Sequence, residues 1–189
     1  MAYLSIVPQK IASTNDVEIV TSSEHERISM ITLANIHGTN AVAVDLYIET
    51  TTGDTDHIVD SGANVIQEVA PTGYAVTGGS QAIVMDGTAA TSDGFLNKKI
   101  YKSDGTLFGT CTTFTNGTNI TFSGGIENAI ADNDSLYTPT KYYIIKDVDI
   151  PAGATLKLEA NEINFDQDRF SLWINCTVAN VVDVITRPN

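Results

Sequence analysis

Ala41-Val-Ala-Val-Asp-Leu-Tyr-Ile-Glu-Thr50 decides the fold. Val42, Val44, Leu46 and Ile48 alternate with Ala43, Asp45, Tyr47 and Glu49, the periodicity of an antiparallel strand with one face buried. Just upstream, Ile28-Ser-Met-Ile-Thr-Leu33 has the composition of a partner strand. Asn35-Ile-His-Gly-Thr-Asn40 separates the two with turn residues, so a hairpin is expected. Two shorter strands are expected before it, near Leu4 to Val7 and Val17 to Thr21.

The same texture returns near the C-terminus. Tyr142 to Ile145 and Val148 to Ile150 are rich in β-branched and aromatic residues, and Pro151-Ala-Gly153 stops the run with a turn. Leu156 and Leu158 alternate again. Phe170, Leu172, Ile174, Cys176 and Val178 fill one face of the next strand, with Ser171, Trp173, Asn175 and Thr177 on the other. The last strand, around Val182, Val184 and Thr186, is apolar on both sides for part of its length.

Between these regions the chain changes character. From about Thr52 to Thr140 it is dominated by Gly, Thr, Ser, Asn, Asp and Ala. Strand signals persist there. Lys98 to Lys102 and Thr106 to Thr112 flank Ser103-Asp-Gly105, and an Asp-Gly dipeptide between two strand-like runs is a strong hairpin cue. Asn119 to Phe122 and Ser135 to Tyr137 add further strands. Short helical turns are expected within Ser61 to Ala70 and Gly125 to Ala131, neither of which carries a full apolar stripe. The expected fold is therefore all-β: an antiparallel β-sandwich of jelly-roll-like kind, residues 1–51 plus 141–189, with a small β-subdomain inserted at 52–140. Such an insertion is cheap, because the entropic cost of closing a loop grows slowly with its length.

A chain of 189 residues that is 42% hydrophobic can build a core without metals or disulfides. The excess of 23 acidic over 10 basic residues, a formal net charge of -13, argues against nonspecific binding to nucleic acid or anionic membrane. No run approaches the roughly 18 apolar residues of a membrane span, and Met1 to Lys10 lacks the features of a secretion signal. The mature chain is expected to be the chain as given. Cys111 and Cys176 fit no CxxC spacing and are expected as free thiols, Cys176 on an inward strand face.

No motif for chemistry rises above background. His25, His37 and His57 share no metal-binding spacing, and surface positions explain them more simply. Asp54, Asp56 and Asp60 form one acidic group, and Asp132, Asn133 and Asp134 another, yet neither has the turn glycine and closing glutamate of a calcium loop. Glu159 with Glu162, and Asp166 with Asp168, are carboxylate pairs with no cleft to set them at a glycosidase separation. There is no GxSxG, and Gly78-Gly79 and Gly124-Gly125 lack the sequel of a phosphate loop. Trp173, Tyr47, Tyr142 and Tyr143 have the faces for a sugar platform, although strand aromatics more commonly pack between sheets. The expectation is a protein that is not an enzyme, with no cofactor and no metal.

Ile31-Thr-Leu-Ala-Asn35, Ala41 to Ile48, Asp149-Ile-Pro-Ala-Gly-Ala-Thr-Leu-Lys-Leu158 and the final strand pair together resemble the β-sandwich of tailed-bacteriophage virion proteins. Asp86-Gly-Thr-Ala-Ala90 and Asn97 to Thr110 are similar to segments of structural proteins from marine phages, especially those of cyanobacteria. The resemblance covers the frame, about half of the chain. It implies a virion component that decorates the capsid or joins the neck or tail, made in the host cytoplasm, with other virion proteins as partners and a homo-oligomeric or array-bound state. In seawater the acidic surface is well screened. Sheet edges in such a particle are covered by neighbours, which makes Tyr3, Leu4, Ile6 and Val7 of the N-terminal arm candidate subunit contacts. The alternative is a carbohydrate-binding or receptor-binding module at a tail tip, with Tyr74, Phe95 and Tyr101 of the insert exposed to host glycans.

Overall fold

The computed structural model describes residues 7–20, 28–65, 74–76, 78–86, 95–116 and 119–188. The chain divides into two compact units, Met1–Glu49 with Lys141–Asn189, and Thr50–Thr140. Both are built from antiparallel strands, so the fold is all-β.

In the first unit β1 (Val7–Ile11), β2 (Val17–Val20), β3 (Ile28–Asn35) and β4 (Val42–Thr50) come before the interruption. After it come β12 (Tyr142–Ile150), β13 (Thr155–Glu159), β14 (Phe170–Cys176) and β15 (Val182–Pro188). They form two four-stranded sheets, ordered β1-β15-β3-β13 and β12-β4-β14-β2. Val42, Val44 and Leu46 of β4 and Leu172, Ile174 and Cys176 of β14 meet Ile31 and Leu33 of β3 and Val182 and Val184 of β15 in one core. Each fully buried Leu, Ile or Val there contributes roughly 1.5–3 kcal/mol over leaving it in water. The result is a β-sandwich.

The expected β3–β4 hairpin does not form. The two strands lie in different sheets, and β3 pairs instead with β15 and β13. Asn35 to Asn40 is a crossover between layers, as is Pro151 to Ala154 between β12 and β13. Asn35, 1% exposed, ties these two corners together. Its side-chain amide donates to the Ile150 and Asn40 carbonyls at 2.8 and 3.0 Å, and its Oδ1 accepts from the His37 N–H at 2.8 Å. Its backbone accepts from Gly153 N–H and donates to the Ala154 carbonyl. Gly153, at φ 70, provides the left-handed residue that the second corner turns on. Turn composition is the same for a hairpin and a crossover, and burial of both sheets' inner faces selects the crossover.

The interruption opens between two hydrogen-bonded neighbours, since Ile48 of β4 pairs with Tyr142 of β12. The second unit contains a 3-10 turn, Thr55–His57, and β5 (Ile58–Val65), β6 (Gln81–Asp86), β7 (Lys99–Tyr101) and β8 (Leu107–Thr110). β9 (Thr113–Asn116), β10 (Asn119–Phe122) and β11 (Ser135–Pro139) complete it. They make one seven-stranded sheet, ordered β8-β7-β11-β5-β6-β10-β9. The expected hairpin at Asp104-Gly105 is present, with Lys99 opposite Thr110 and Gly105 at φ 80. In a flat sheet β8 and β10 would stand about 24 Å apart at ~4.8 Å per step. The Phe108 and Phe122 rings are nevertheless 5.1 Å apart, edge to face. The sheet therefore curls over its own core, which holds Ile83, Met85, Phe95, Ile100, Ile120 and Leu136.

Neither expected helical turn is present where it is described. Ser61 to Val65 continue β5, and Gly125 to Ala131 are irregular, with a bend at Glu127 and Asn128 before the isolated bridge of Ile130 to Tyr74. Residues 66–70 lie outside the described residues.

Candidate functional site

The aromatics expected on the surface of the insert are inside it. Phe95 and Tyr101 are each 1% exposed, so neither can present a ring to a glycan. Phe95 stacks at 6.2 Å on Phe114, and Tyr101 lies beneath the turn at Gly53. Tyr74 is half-buried, exchanges backbone hydrogen bonds with Ile130, and accepts one on its hydroxyl from Val84 N–H at 3.1 Å. A segment so rich in small polar residues has few large apolar groups, and its core takes the aromatics. Val7 lies on β1 opposite Thr186, 52% exposed on the outermost strand of its sheet. Tyr3, Leu4 and Ile6 lie outside the described residues.

The sugar-platform aromatics separate in the same way. Tyr47 is 0% and Trp173 7% exposed, whereas Tyr142 and Tyr143 remain near 40%. Among the described residues no group of three or more His, Cys, Asp or Glu is placed to hold a metal ion. The carboxylates of the Asp132 to Asp134 turn are engaged locally, Asp134 Oδ2 accepting from Ala131 N–H and Asp132 Oδ2 from the Asn133 amide. No described helix is long and apolar enough to cross a membrane.

Two arrangements stand out, both in the sandwich unit. The first is a buried charge cluster on β12-β4-β14-β2. Alternation along β4 turns Val42, Val44 and Leu46 into the core and leaves Tyr47 and Glu49 on the opposite face. Part of that face is buried too, with Glu49 at 2% and Ser171 at 1% exposure. Lys141 directly precedes β12, and the register pairing Tyr142 with Ile48 and Tyr143 with Tyr47 sets it across from Glu49. Its Nζ lies 4.5 Å over the Tyr47 ring and reaches Asp16 Oδ2 at 2.8 Å. Asp16 directly precedes β2, so the bridge joins residues at the two outer strands of the sheet. The other Asp16 oxygen, Oδ1, accepts from the Asn175 amide at 3.1 Å, and Asn175 also donates to the Thr14 carbonyl.

Electrostatics follow from burial. Desolvation first, then the negative charges of Glu49 and Asp16, push the Tyr47 hydroxyl far above the ordinary phenol range, and it hydrogen-bonds to Asp16 as a neutral donor. For Lys141 burial works against the charged form. The hydrogen bond to Asp16 and the charges of Asp16 and Glu49 outweigh it, so its ammonium holds its proton more tightly than usual. Such a pair adds little net stability, because desolvation offsets attraction, but it fixes position. Sequence reading missed this cluster because Asp16, Glu49, Lys141 and Asn175 follow no spacing rule.

The second arrangement is a shallow groove in two adjoining parts, about 260 and 400 Å³, that share Ala160 and Asn161. The β13–β14 connection supplies Asn161, Asn164, Gln167 and Phe165 to the first part. Lys157, Glu159 and Arg187 line the second. Amides beside an aromatic edge are donors and acceptors suited to a hydroxyl-rich ligand.

Comparison with protein-family models, with curated proteins and with solved structures finds no match to this chain.

Proposed function

We propose that this chain is a non-enzymatic structural protein of a tailed-phage particle, decorating the capsid or joined to the neck or tail. The observation that carries the proposal is the strand order of the frame, β1-β15-β3-β13 over β12-β4-β14-β2. Successive strands alternate between sheets except where β4 and β12 meet at the interruption, and we read this as jelly-roll wrapping. That wrapping is common in viral capsid domains and in lectins. The link is an analogy of fold, and the likeness of the frame and of Asn97 to Thr110 to phage virion proteins directs it toward a particle.

Edge strand β1, with Val7 half-exposed, is the proposed contact with a neighbouring copy or another virion protein. Pro8 within it removes one backbone donor, which disfavours indiscriminate strand pairing. Mass spectrometry and cryo-electron microscopy of purified particles test the proposal. Hundreds of copies on the shell identify a decoration protein, and a single ring identifies a neck or tail position. Absence of the chain from intact particles refutes it.

A second proposal, a carbohydrate-binding or receptor-binding module at a tail tip, is favoured by the amide-lined groove and no longer by the insert aromatics. Binding on a glycan array that is lost in Asn164→Ala and Phe165→Ala would select it.

A further inference from the structure

We propose that Lys141 and Asp16 condense to an intramolecular isopeptide bond, with Glu49 as the proton carrier. The inference rests on the buried cluster alone and is independent of any role in a particle.

The reacting groups are already together. Nζ of Lys141 is 2.8 Å from Asp16 Oδ2, which brings it close to the roughly 3–3.5 Å near-attack range of the carboxyl carbon. The Asp16 side chain is 3% exposed and that of Lys141 26%. Asn175 donates to Oδ1 at 3.1 Å, the oxygen that becomes negative when an amine adds to the carbon. Glu49, 2% exposed, faces Lys141 across the β4–β12 register. The Tyr47 ring lies under Nζ, and Trp173 is buried on β14. Burial narrows the gap between the ion pair and the neutral amine and acid. The charges of Asp16 and Glu49 keep the ammonium the major form, so the neutral pair is the minor state from which the reaction starts.

The balance is that of a dehydration. A proton passes from the Lys141 ammonium to Asp16 Oδ2, giving a neutral amine and a neutral acid. The Nζ lone pair then forms a bond to Cγ, and the carbonyl π electrons move to Oδ1. The Glu49 carboxylate takes a proton from Nζ and delivers it to Oδ2. The Cγ–Oδ2 bond breaks, water leaves, and Glu49 is restored. Nothing is oxidised or reduced, and no co-reactant is needed.

Structurally the bond would replace a strap that exists in ionic form. It would link positions 125 residues apart and enclose the whole insert in a covalent loop. Both cysteines are free, so no disulfide supplies such a tie.

Intact-mass measurement of the folded, purified protein tests the proposal. The expected mass is lower than the sequence mass by one water. Proteolysis should release a branched peptide joining the Asp16 and Lys141 segments. In Lys141→Arg, which keeps the charge and the ion pair, the loss and the branched peptide should both disappear. Succinimide formation at an Asp-Gly site also removes one water, but it survives Lys141→Arg and yields no branched peptide. Glu49→Gln should slow the conversion at least tenfold while circular dichroism stays native. Full sequence mass in the wild type, or a water loss that persists in Lys141→Arg, overturns the bond. Unchanged kinetics in Glu49→Gln overturn the role of Glu49.

Discussion

The side-chain amide of Asn35 donates to the backbone carbonyl of Ile150 at 2.8 Å, inside the sandwich, and so couples the two corners where the chain crosses between sheets. The bond has no equivalent in a hairpin. It exists because β3 and β4 part company at Asn35 and because β12 and β13 do the same at Ile150.

Asn35→Ala is expected to lower the unfolding free energy by about 1–3 kcal/mol, the usual penalty for leaving a buried carbonyl unsatisfied. Asn35→Asp keeps the shape but loses both donors, and its loss should be at least as large. Urea denaturation with an unchanged slope checks this, and a change below ~0.5 kcal/mol would contradict the corner role.

Gly53 and Gly105 face one another within the insert at φ 71 and 80. A Cβ on Gly53 would collide with the Tyr101 ring and the Gly105 carbonyl, and one on Gly105 would collide with the Gly53 carbonyl. Either Gly→Ala change should cost about 2–4 kcal/mol, combining left-handed strain with overpacking. Gly124→Ala, where nothing lies within 4 Å, serves as the comparison and should lie near wild type. Thermal melts of the three variants distinguish these outcomes.

Stability should fall on the alkaline side. Burial raises the Tyr47 hydroxyl and the Cys176 thiol, and raises Cys111 to about 11. Every one of these groups holds its proton in the folded state to a higher pH than in the unfolded state. Above roughly pH 9 the folded chain therefore binds more protons, and stability declines as pH rises. Denaturation midpoints measured from pH 7 to 11 should drop progressively. Cys111→Ser should flatten the first part of that decline.

Each unit carries one buried cysteine, Cys176 in the sandwich and Cys111 in the insert, and their cores are separate clusters. An alkylating reagent at neutral pH should label neither until the surrounding core opens. Phe108→Ala, which removes half of the Phe108–Phe122 contact, should destabilise the insert by about 3–5 kcal/mol. Peptide mapping should then show Cys111 labelled at lower urea while the Cys176 midpoint stays in place. A joint shift would mean that the two cores open together.

Strand positions were legible because alternation is a local property: Val42 to Ile48 and Phe170 to Cys176 carry it in their own residues. The Asp104-Gly105 hairpin was legible for the same reason, since a backbone turn needs particular residues at particular places. The change of texture near residues 51 and 141 is likewise a matter of local composition.

Partner choice was not local. Asn35 to Asn40 suits a hairpin or a corner equally, and only the requirement to bury both sheets against each other sent β3 to β15. Exposure was decided at the same level, for Phe95 and Tyr101 are buried where the sheet curls, together with most of the large apolar side chains of the insert. The charge cluster depends on tertiary structure most of all. Asp16, Glu49, Lys141 and Asn175 are unremarkable in the sequence, and folding makes them neighbours by placing Lys141 and Asp16 at opposite edges of one sheet with Tyr47 between them. Sequence alone determined where this protein is extended and where it turns, because those depend on short-range sterics and periodicity. Tertiary structure decided which groups share a dry environment, because that depends on contacts between residues far apart in the chain.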